Sequence, residues 1–263
     1  MNSLSHRSKI SLLLGISLVA IVAVFYIEPI AQDLQYHQFA DQRIFWNIPN
    51  TWNVLSNLIF ALAGLLGLHF LCVRESLLIV QPAFPAYATF FIALIALAAG
   101  SVWYHWSPNN VSLVWDRLPM TLAFMSFFTI ILAERLSLPL AKLMFPILLV
   151  AGIASVVYWH YSEAAGNGDL RPYALVQFLP LLLVPLILLM FPSQFTRGSD
   201  IWWFLAWYLA AKGFEVLDQQ IYGWLVLFSG HSLKHIAASL GCLIFLYHLR
   251  HRKTGVRTQN LLI

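Results

Sequence analysis

The sequence has little charge. Of its 263 residues only 10% are Asp, Glu, Lys or Arg, whereas 60% are hydrophobic and the mean hydropathy is +0.75. Average proteins carry about 25% charged residues, so this composition excludes a soluble globular domain, which could not bury so much apolar surface. The 15 Lys and Arg residues exceed the 11 Asp and Glu residues. They form no basic patch with interleaved aromatic residues, so nucleic-acid binding is not indicated.

Cysteine is also scarce. The only two cysteines, Cys72 and Cys242, both fall within apolar segments, which excludes a disulfide framework and a thiolate metal site. The sequence has no internal repeat and no low-complexity tract. Segments of about ten residues with alternating polarity, which membrane-spanning strands require, are absent as well. The apolar runs are continuous and longer than such strands.

Eight apolar runs are long enough to be membrane-spanning helices. The fold class predicted is therefore an all-α integral membrane protein, with a core of seven transmembrane helices and one additional N-terminal helix. The predicted spans cover residues 10–30, 52–73, 84–105, 117–133, 138–159, 173–191, 201–222 and 230–249.

The chain is predicted to have three parts. Residues 1–40 form a cytoplasmic leader, the extra helix and a linker, residues 41–249 form the seven-helix domain, and residues 250–263 form a basic cytoplasmic tail. The first span, which follows SHRSK, also resembles a signal peptide. No small-x-small cleavage site follows it, which favours an uncleaved helix. Cleavage would leave seven helices in the same orientation.

The distribution of Lys and Arg predicts the orientation, since cytoplasmic connections carry an excess of both residues. With an internal N-terminus, ten such residues fall on one side and chiefly four on the other, so both termini are predicted to be cytoplasmic. The ten are Arg7, Lys9, Arg74, Arg135, Lys142, Arg197, Arg250, Arg252, Lys253 and Arg257, and the four are Arg43, Arg117, Arg171 and Lys212.

This topology brings four polar residues to one layer of the membrane. The third span ends in GSVWYHW, which carries His105 at its outer end. The fourth span begins at VWDRLPM with Asp116, and the last begins at SGHSLKH with His231 and His235. Ionisable residues in membrane segments are costly, and their default interpretation is functional.

The spacing of the histidines is typical of a metal site. His231 and His235 are four residues apart on one helical face, where two imidazoles can share an ion. His105 from another helix completes the three-ligand pattern of catalytic zinc, which leaves one position open. Ser101 lies on the same face as His105, one turn deeper. Asp116 is expected close enough to accept a proton from metal-bound water, or to orient that water.

Other polar residues give a less specific signal. Asn53, Ser56 and Asn57 share one face of the second span, where we expect them to bond neighbouring helices. A charged stripe ends the seventh span and either forms a structural ion cluster or supplies a competing acid–base group. It consists of Lys212, Glu215 and Asp218.

The remaining candidates are expected to have no catalytic role. Asp169 and Arg171 are predicted to form a structural pair at the outer surface. His69 is placed toward the inner side of the membrane, away from the layer that contains His105, His231 and His235. Three further histidines are expected to be solvated in or near loops, namely His160, His248 and His251.

Three segments together carry a family resemblance: NTWNVLSNLIF, SVWYHWSPNNVSLVWDRLPM and SGHSLKH. The chain resembles the alkaline ceramidase family over residues 41–249, within the superfamily of seven-helix membrane hydrolases that includes the adiponectin receptors. The resemblance implies a zinc-dependent amidase that converts ceramide, or a related lipid amide, to a sphingoid base and a fatty acid by attack of zinc-bound hydroxide. The implied zinc ligands are His105, His231 and His235. Asp116 would act on the bound water, and Ser101 would support the oxyanion or the water.

The sequence departs from this family at one point. Eukaryotic members bind calcium through acidic side chains before the first core helix, whereas YHQFADQRIFWNIPN contains only Asp41 as an acid. The sequence therefore does not support a matching calcium site. Short connections and the lack of extra domains indicate a bacterial member in the inner membrane, with its active site near the periplasmic face and a lipid from the bilayer as its partner.

Two alternative functions stay open at this point. One is a receptor-like or signalling membrane protein of the same superfamily, in which the zinc site is mainly structural. The other is a haem-binding membrane protein that uses the histidines as axial ligands.

Overall fold

The protein is helical throughout the part of the chain that the computed structural model describes, residues 4–73 and 76–255, which contain no β-strand. The all-α prediction is confirmed. Two short 3₁₀ helices, Leu34–His37 and Gln81–Ala83, lie in connections. The α-helices are α1 (His6–Tyr26), α2 (Thr51–Leu55), α3 (Leu58–Cys72), α4 (Phe84–Trp106), α5 (Asn110–Arg135), α6 (Leu138–Ala164), α7 (Arg171–Met190), α8 (Ser199–Val216), α9 (Asp218–Leu225) and α10 (Gly230–His251).

Seven helical segments in the described ranges are long and apolar enough to cross a membrane. They are α1, α2 with α3, α4, α5, α6, α7 and α10. Helix α8, the seventh predicted span, is not among them because it carries Asp200, Lys212 and Glu215 within 18 residues. A multi-pass membrane protein is thus supported, while the count of eight spans stays a prediction.

Two predicted spans are interrupted. The span predicted at 52–73 breaks at Ser56 and Asn57, between α2 and α3, where the Asn57 amide donates to the Val54 carbonyl at 3.3 Å in a tight turn. The span predicted at 201–222 breaks at Leu217, between α8 and α9. Polar residues mark both breaks, Ser56 and Asn57 at the first and Asp218 beside the second, but the mean hydropathy of a whole span does not reveal them.

Helix α5 lies at the centre of the bundle and packs against α4, α6 and α7, while α8 packs against α10. The core between these helices is aromatic. The ring of Phe245 on α10 lies 5.2 Å from that of Phe90 on α4 and 5.3 Å from that of Phe127 on α5. By contrast, α1 buries only Leu13 and packs along α7.

A buried ion pair closes the end of the bundle where α5 and α10 finish. Arg252 donates to both carboxylate oxygens of Glu134, at 2.7 and 2.9 Å, and Tyr87 donates to the same carboxylate. His248 lies beside Arg252 and is 2% exposed. The prediction that His248 is solvated was wrong, because α10 continues to His251 and carries His248 into this cluster. Of the other two histidines that were predicted to be solvated, His160 lies within α6 and is half-buried, whereas His251 is exposed.

Candidate metal centre

Three buried imidazoles meet where α4 ends and α10 begins. His105 lies in the last turn of α4, and His231 and His235 lie in the first turns of α10. His105 Nε2 is 3.3 Å from His235 Nε2, and one ring nitrogen from each of the three histidines lies within 4.8 Å of the others. The structure therefore brings together the three histidines that the sequence singled out.

The spacing of these nitrogens fits a tetrahedral metal ion. Two nitrogens at about 2.0–2.1 Å from one tetrahedral zinc ion are about 3.3–3.4 Å apart, which matches the His105–His235 separation. The Nε2 atom of His231 is buried without a hydrogen-bond partner, as expected of a metal-binding nitrogen. Imidazole suits zinc, copper, iron and nickel, so these donors could hold a transition-metal ion but do not select one of them.

Ser56 holds the imidazole of His235 in place. Its Oγ lies 2.8 Å from His235 Nδ1 and donates to the Asn53 carbonyl at 3.1 Å. The same Nδ1 lies 3.3 Å from the side-chain amide nitrogen of Asn57. In the tautomer whose Nδ1–H donates to Ser56, the lone pair of Nε2 is free for an ion. The sequence predicted interhelical bonds for this polar face, but not that one of them reaches a candidate ligand.

Close helix packing places His105. A side chain at Gly100 would overlap the main-chain carbonyl of Trp115, so only glycine allows α4 and α5 to approach at this level. Gly230 similarly contacts the main chain of Phe214 and Asp218, which seats the first turn of α10 against α8 and α9. Neither glycine stood out in the sequence, since their role depends on helix contacts.

Phe39 covers the histidine cluster from the segment between α1 and α2. Its ring lies 4.7 Å from that of His105 and 4.6 Å from that of His231, centroid to centroid, and its side chain is buried. An apolar ring over the imidazoles limits the access of water, which strengthens electrostatic interactions at the site.

Asp116 lies within a helix rather than at its start. Helix α5 begins six residues earlier than Asp116, at Asn110, because Asn109 and Ser112 form a capping box. Asp116 is 8% exposed and Ser101 is 1% exposed, and both line the same cavity as His235. The structure thus places both predicted catalytic residues in the lining of one cavity together with one candidate ligand.

That cavity has a volume of about 370 Å³ and is largely apolar. Its walls come from α4, α5, α7, α8 and α10. Its lining combines polar residues, Ser101, Asp116 and His235, with aromatic ones such as Phe90 and Phe127. Apolar pockets with a few convergent polar groups are typical of small-molecule sites.

A charged network lines the cavity beside these residues. Glu215 accepts from Lys212 and Lys234, each at 2.7 Å, and from the Tyr36 hydroxyl at 3.0 Å. Burial raises the pKa of Tyr36 well above its ordinary value, so its phenol stays protonated and donates. Lys234 stands between the two candidate ligands of α10 in sequence, yet its salt bridge with Glu215 could not be foreseen.

Asp218 has a structural role. Its carboxylate accepts from the backbone amide of His231 at 2.7 Å and from that of Ala40 at 3.0 Å. It therefore caps α10 and ties the linker to that helix. Of the two rival bases considered from the sequence, only Glu215 lines the cavity, and both of its carboxylate oxygens are bound by lysines.

Two further acids pair with arginines close in sequence. Asp41 accepts from the Arg43 guanidinium at 2.6 and 2.8 Å, so both of its oxygens already have a cationic partner. Asp169 accepts from Arg171 through both oxygens at 2.8 Å, as predicted, and these bonds hold its pKa below the ordinary value. His69 is exposed beside Phe70 and lies apart from the histidine cluster.

Comparison with known proteins does not identify this site. No model of a known protein family matches the chain, and no curated protein matches it significantly. The class defined by fold and site together is a helical, multi-pass membrane protein with a buried three-histidine group that can bind a metal ion.

Proposed function

We propose that the protein is a zinc-dependent integral-membrane amidase that hydrolyses ceramide or a related lipid amide to an amine and a fatty acid. The observation that supports it best is the position of His235, Ser101 and Asp116 along one apolar cavity within the helix bundle. A lipid could keep its acyl chain between the helices while its amide group reaches these polar residues.

Zinc held by three histidines is a Lewis acid that polarises a carbonyl group and provides a water nucleophile at neutral pH. His105, His231 and His235 would hold that ion. The cavity has a suitable volume, since ligand pockets commonly measure about 300–1,000 Å³.

The residues of the chain would handle the proton and the developing charge. The Asp116 carboxylate accepts a proton from the attacking water and returns it to the departing amide nitrogen. The Ser101 hydroxyl donates to the carbonyl oxygen as negative charge develops on it. Water adds to the carbonyl carbon, the C–N bond breaks, and the products are a free amine and a carboxylic acid.

The haem alternative does not fit the imidazole arrangement. Two axial imidazoles stand on opposite faces of a porphyrin, whereas these three rings have centroids only 4.8 to 5.1 Å apart in one cluster. No porphyrin fits between them. From the distribution of Lys and Arg we infer that both termini are cytoplasmic and that the site lies near the outer face, which in a bacterial inner membrane is the periplasmic face.

Turnover by the purified protein tests the proposal. Zinc-loaded protein in detergent is incubated with a panel of ceramides and other lipid amides, and the released fatty acid is measured by mass spectrometry. We expect the protein to hydrolyse a lipid amide. A chelator should abolish this activity and added zinc should restore it. The His105→Ala variant should not show the activity. Failure of the zinc-loaded protein to cleave any lipid amide would refute the proposed function.

A further inference from the structure

Arg117 is a buried cation that lines the cavity next to Asp116. Arg117 is 6% exposed. Its Nη2 donates to the side-chain oxygen of Gln32 at 2.6 Å, while Nη1 is buried without a hydrogen-bond partner. In the described ranges no carboxylate forms an ion pair with this guanidinium. Arg117, which the sequence placed at the outer end of the fourth span, therefore lies buried inside the bundle.

Two aromatic rings pack against the guanidinium. Its central carbon lies 4.2 Å from the ring centroid of Trp159 and 4.8 Å from that of Tyr173. Such cation–π contacts stabilise a buried arginine. The N–H groups of a guanidinium also need hydrogen-bond acceptors, and Nη1 has none among the described residues. The rings therefore stabilise the charge of Arg117 but leave its Nη1 donors without an oxygen or nitrogen acceptor.

The charges that line the cavity do not balance. Three lining residues are cationic, Arg117, Lys212 and Lys234, and two are carboxylates, Asp116 and Glu215. Both lysines are bound to Glu215, which leaves Arg117 without a carboxylate of its own among the described residues. A metal ion at the three histidines would add further positive charge. An anionic ligand would correct this imbalance, because buried charges require partners.

We propose that Arg117 is a specificity residue that binds one anionic group, a carboxylate or a phosphate, on the headgroup of the lipid substrate. This inference rests on the proposed function and makes the preferred substrate an anionic lipid amide rather than neutral ceramide. A planar guanidinium binds carboxylate and phosphate groups through paired N–H donors. Asp116, Ser101 and Arg117 line the same cavity, so a lipid whose headgroup is held by Arg117 could present its amide to the catalytic residues.

Two matched pairs of lipids test the inference and separate the two anions. N-palmitoylserine and N-palmitoylserinol differ only by a carboxylate in place of a hydroxymethyl group. Ceramide 1-phosphate and ceramide differ only by the phosphate. For each lipid, kcat/KM is measured with zinc-loaded protein, and Kd is measured by competition with a fluorescent fatty-acyl probe.

The variants are Arg117→Gln, Arg117→Lys and the control Arg171→Gln, which changes an arginine that does not line the cavity. We expect the wild type to prefer the anionic member of at least one pair about tenfold or more. A hydrogen bond to a charged group contributes enough to change affinity about 10–100-fold. Arg117→Gln should lose that factor for the anionic lipid alone, Arg117→Lys should lose less, and Arg171→Gln should keep the preference.

Equal losses for the anionic and the neutral lipid in Arg117→Gln would overturn the inference, because Arg117 would then act only in packing. The absence of a preference in the wild type for both pairs would overturn it as well. If no lipid amide is cleaved, the hydrolase proposal fails, and the Kd values decide about Arg117. An Arg117-dependent preference in binding then supports the anion site, and equal binding of both members rejects it.

Discussion

The hydroxyl of Ser56, at the break between α2 and α3, lies 2.8 Å from Nδ1 of His235 on α10. The two residues are 179 positions apart in the sequence. Because Ser56 also donates to the Asn53 carbonyl, its oxygen can accept the Nδ1–H of the imidazole. The opposite nitrogen, Nε2, is then directed toward His105. A serine outside the ligand set thus orients one of the three imidazoles.

Replacing Ser56 by alanine should weaken metal binding without abolishing it. Loss of such an outer partner typically lowers metal affinity about 10–100-fold. Zinc affinity is measured by competition with a chelator of known affinity. Ser239→Ala is the matched control, since Ser239 is also buried but bonds only within its own helix. Equal affinities for wild type and Ser56→Ala would show that Ser56 does not orient the ligand.

Each of His105→Ala, His231→Ala and His235→Ala should lose most of the bound zinc. Purified wild-type protein should contain about one zinc ion per chain by elemental analysis, and His69→Ala should keep it, because His69 is exposed and apart from the cluster. Acid should release the zinc, since imidazole binds metal only when neutral. Full occupancy in both His231→Ala and His235→Ala would refute the assignment.

Asp116→Asn should keep zinc and lose turnover. The amide preserves the shape of the side chain but cannot accept the proton, and a positioned acid–base group contributes about 10²–10⁴-fold. Ser101→Ala should lower the rate of turnover on the order of 10²-fold. Both are measured as release of fatty acid at equal zinc occupancy.

Glu215→Gln and Asp218→Asn belong in the same assay as rival bases. Asp218 caps α10 and Glu215 is bound by two lysines, so both variants should retain more activity than Asp116→Asn. An active Asp116→Asn together with an inactive Glu215→Gln would assign the base to Glu215. Normal turnover in all three would show that no carboxylate serves as the base.

Gly100→Ala should destabilise the protein and reduce its zinc content. The new methyl group would overlap the Trp115 carbonyl, and overpacking of this kind typically costs about 1–3 kcal/mol. The melting temperature is measured in detergent. Gly213→Ala is the control, because no atom lies within 4 Å of the added carbon and alanine favours helix. Equal melting temperatures for the two variants would contradict the tight crossing of α4 and α5.

Ser107→Cys and Thr254→Cys should label from opposite sides of the membrane. Both positions are exposed, and the background is Cys72→Ser because Cys72 is exposed as well. In intact cells, a membrane-impermeant thiol reagent should modify position 107 and not position 254. The reverse labelling pattern would invert the orientation.

Much of the helical architecture could be predicted from composition, because continuous apolar runs satisfy their backbone groups in a bilayer only as helices. The histidine cluster was also predictable. His231 and His235 are one helical turn apart, and alternation of helices across the membrane places His105 at their level. The bounds of the helices were predicted less accurately. The capping box at Asn109 starts α5 at Asn110, well before the predicted start at residue 117.

The sequence by itself determined the class of protein, the helical fold and the three candidate metal ligands, since these follow from local composition and from spacing along one helix. Only the tertiary structure decided that Ser56 orients His235, that Glu215 on α8 binds Lys234 on α10, and that Arg117 lacks a carboxylate partner in the described chain. These relationships depend on residues far apart in the sequence. They depend on how each helix is rotated and how closely it packs, which side-chain contacts across the whole bundle set and no local pattern encodes.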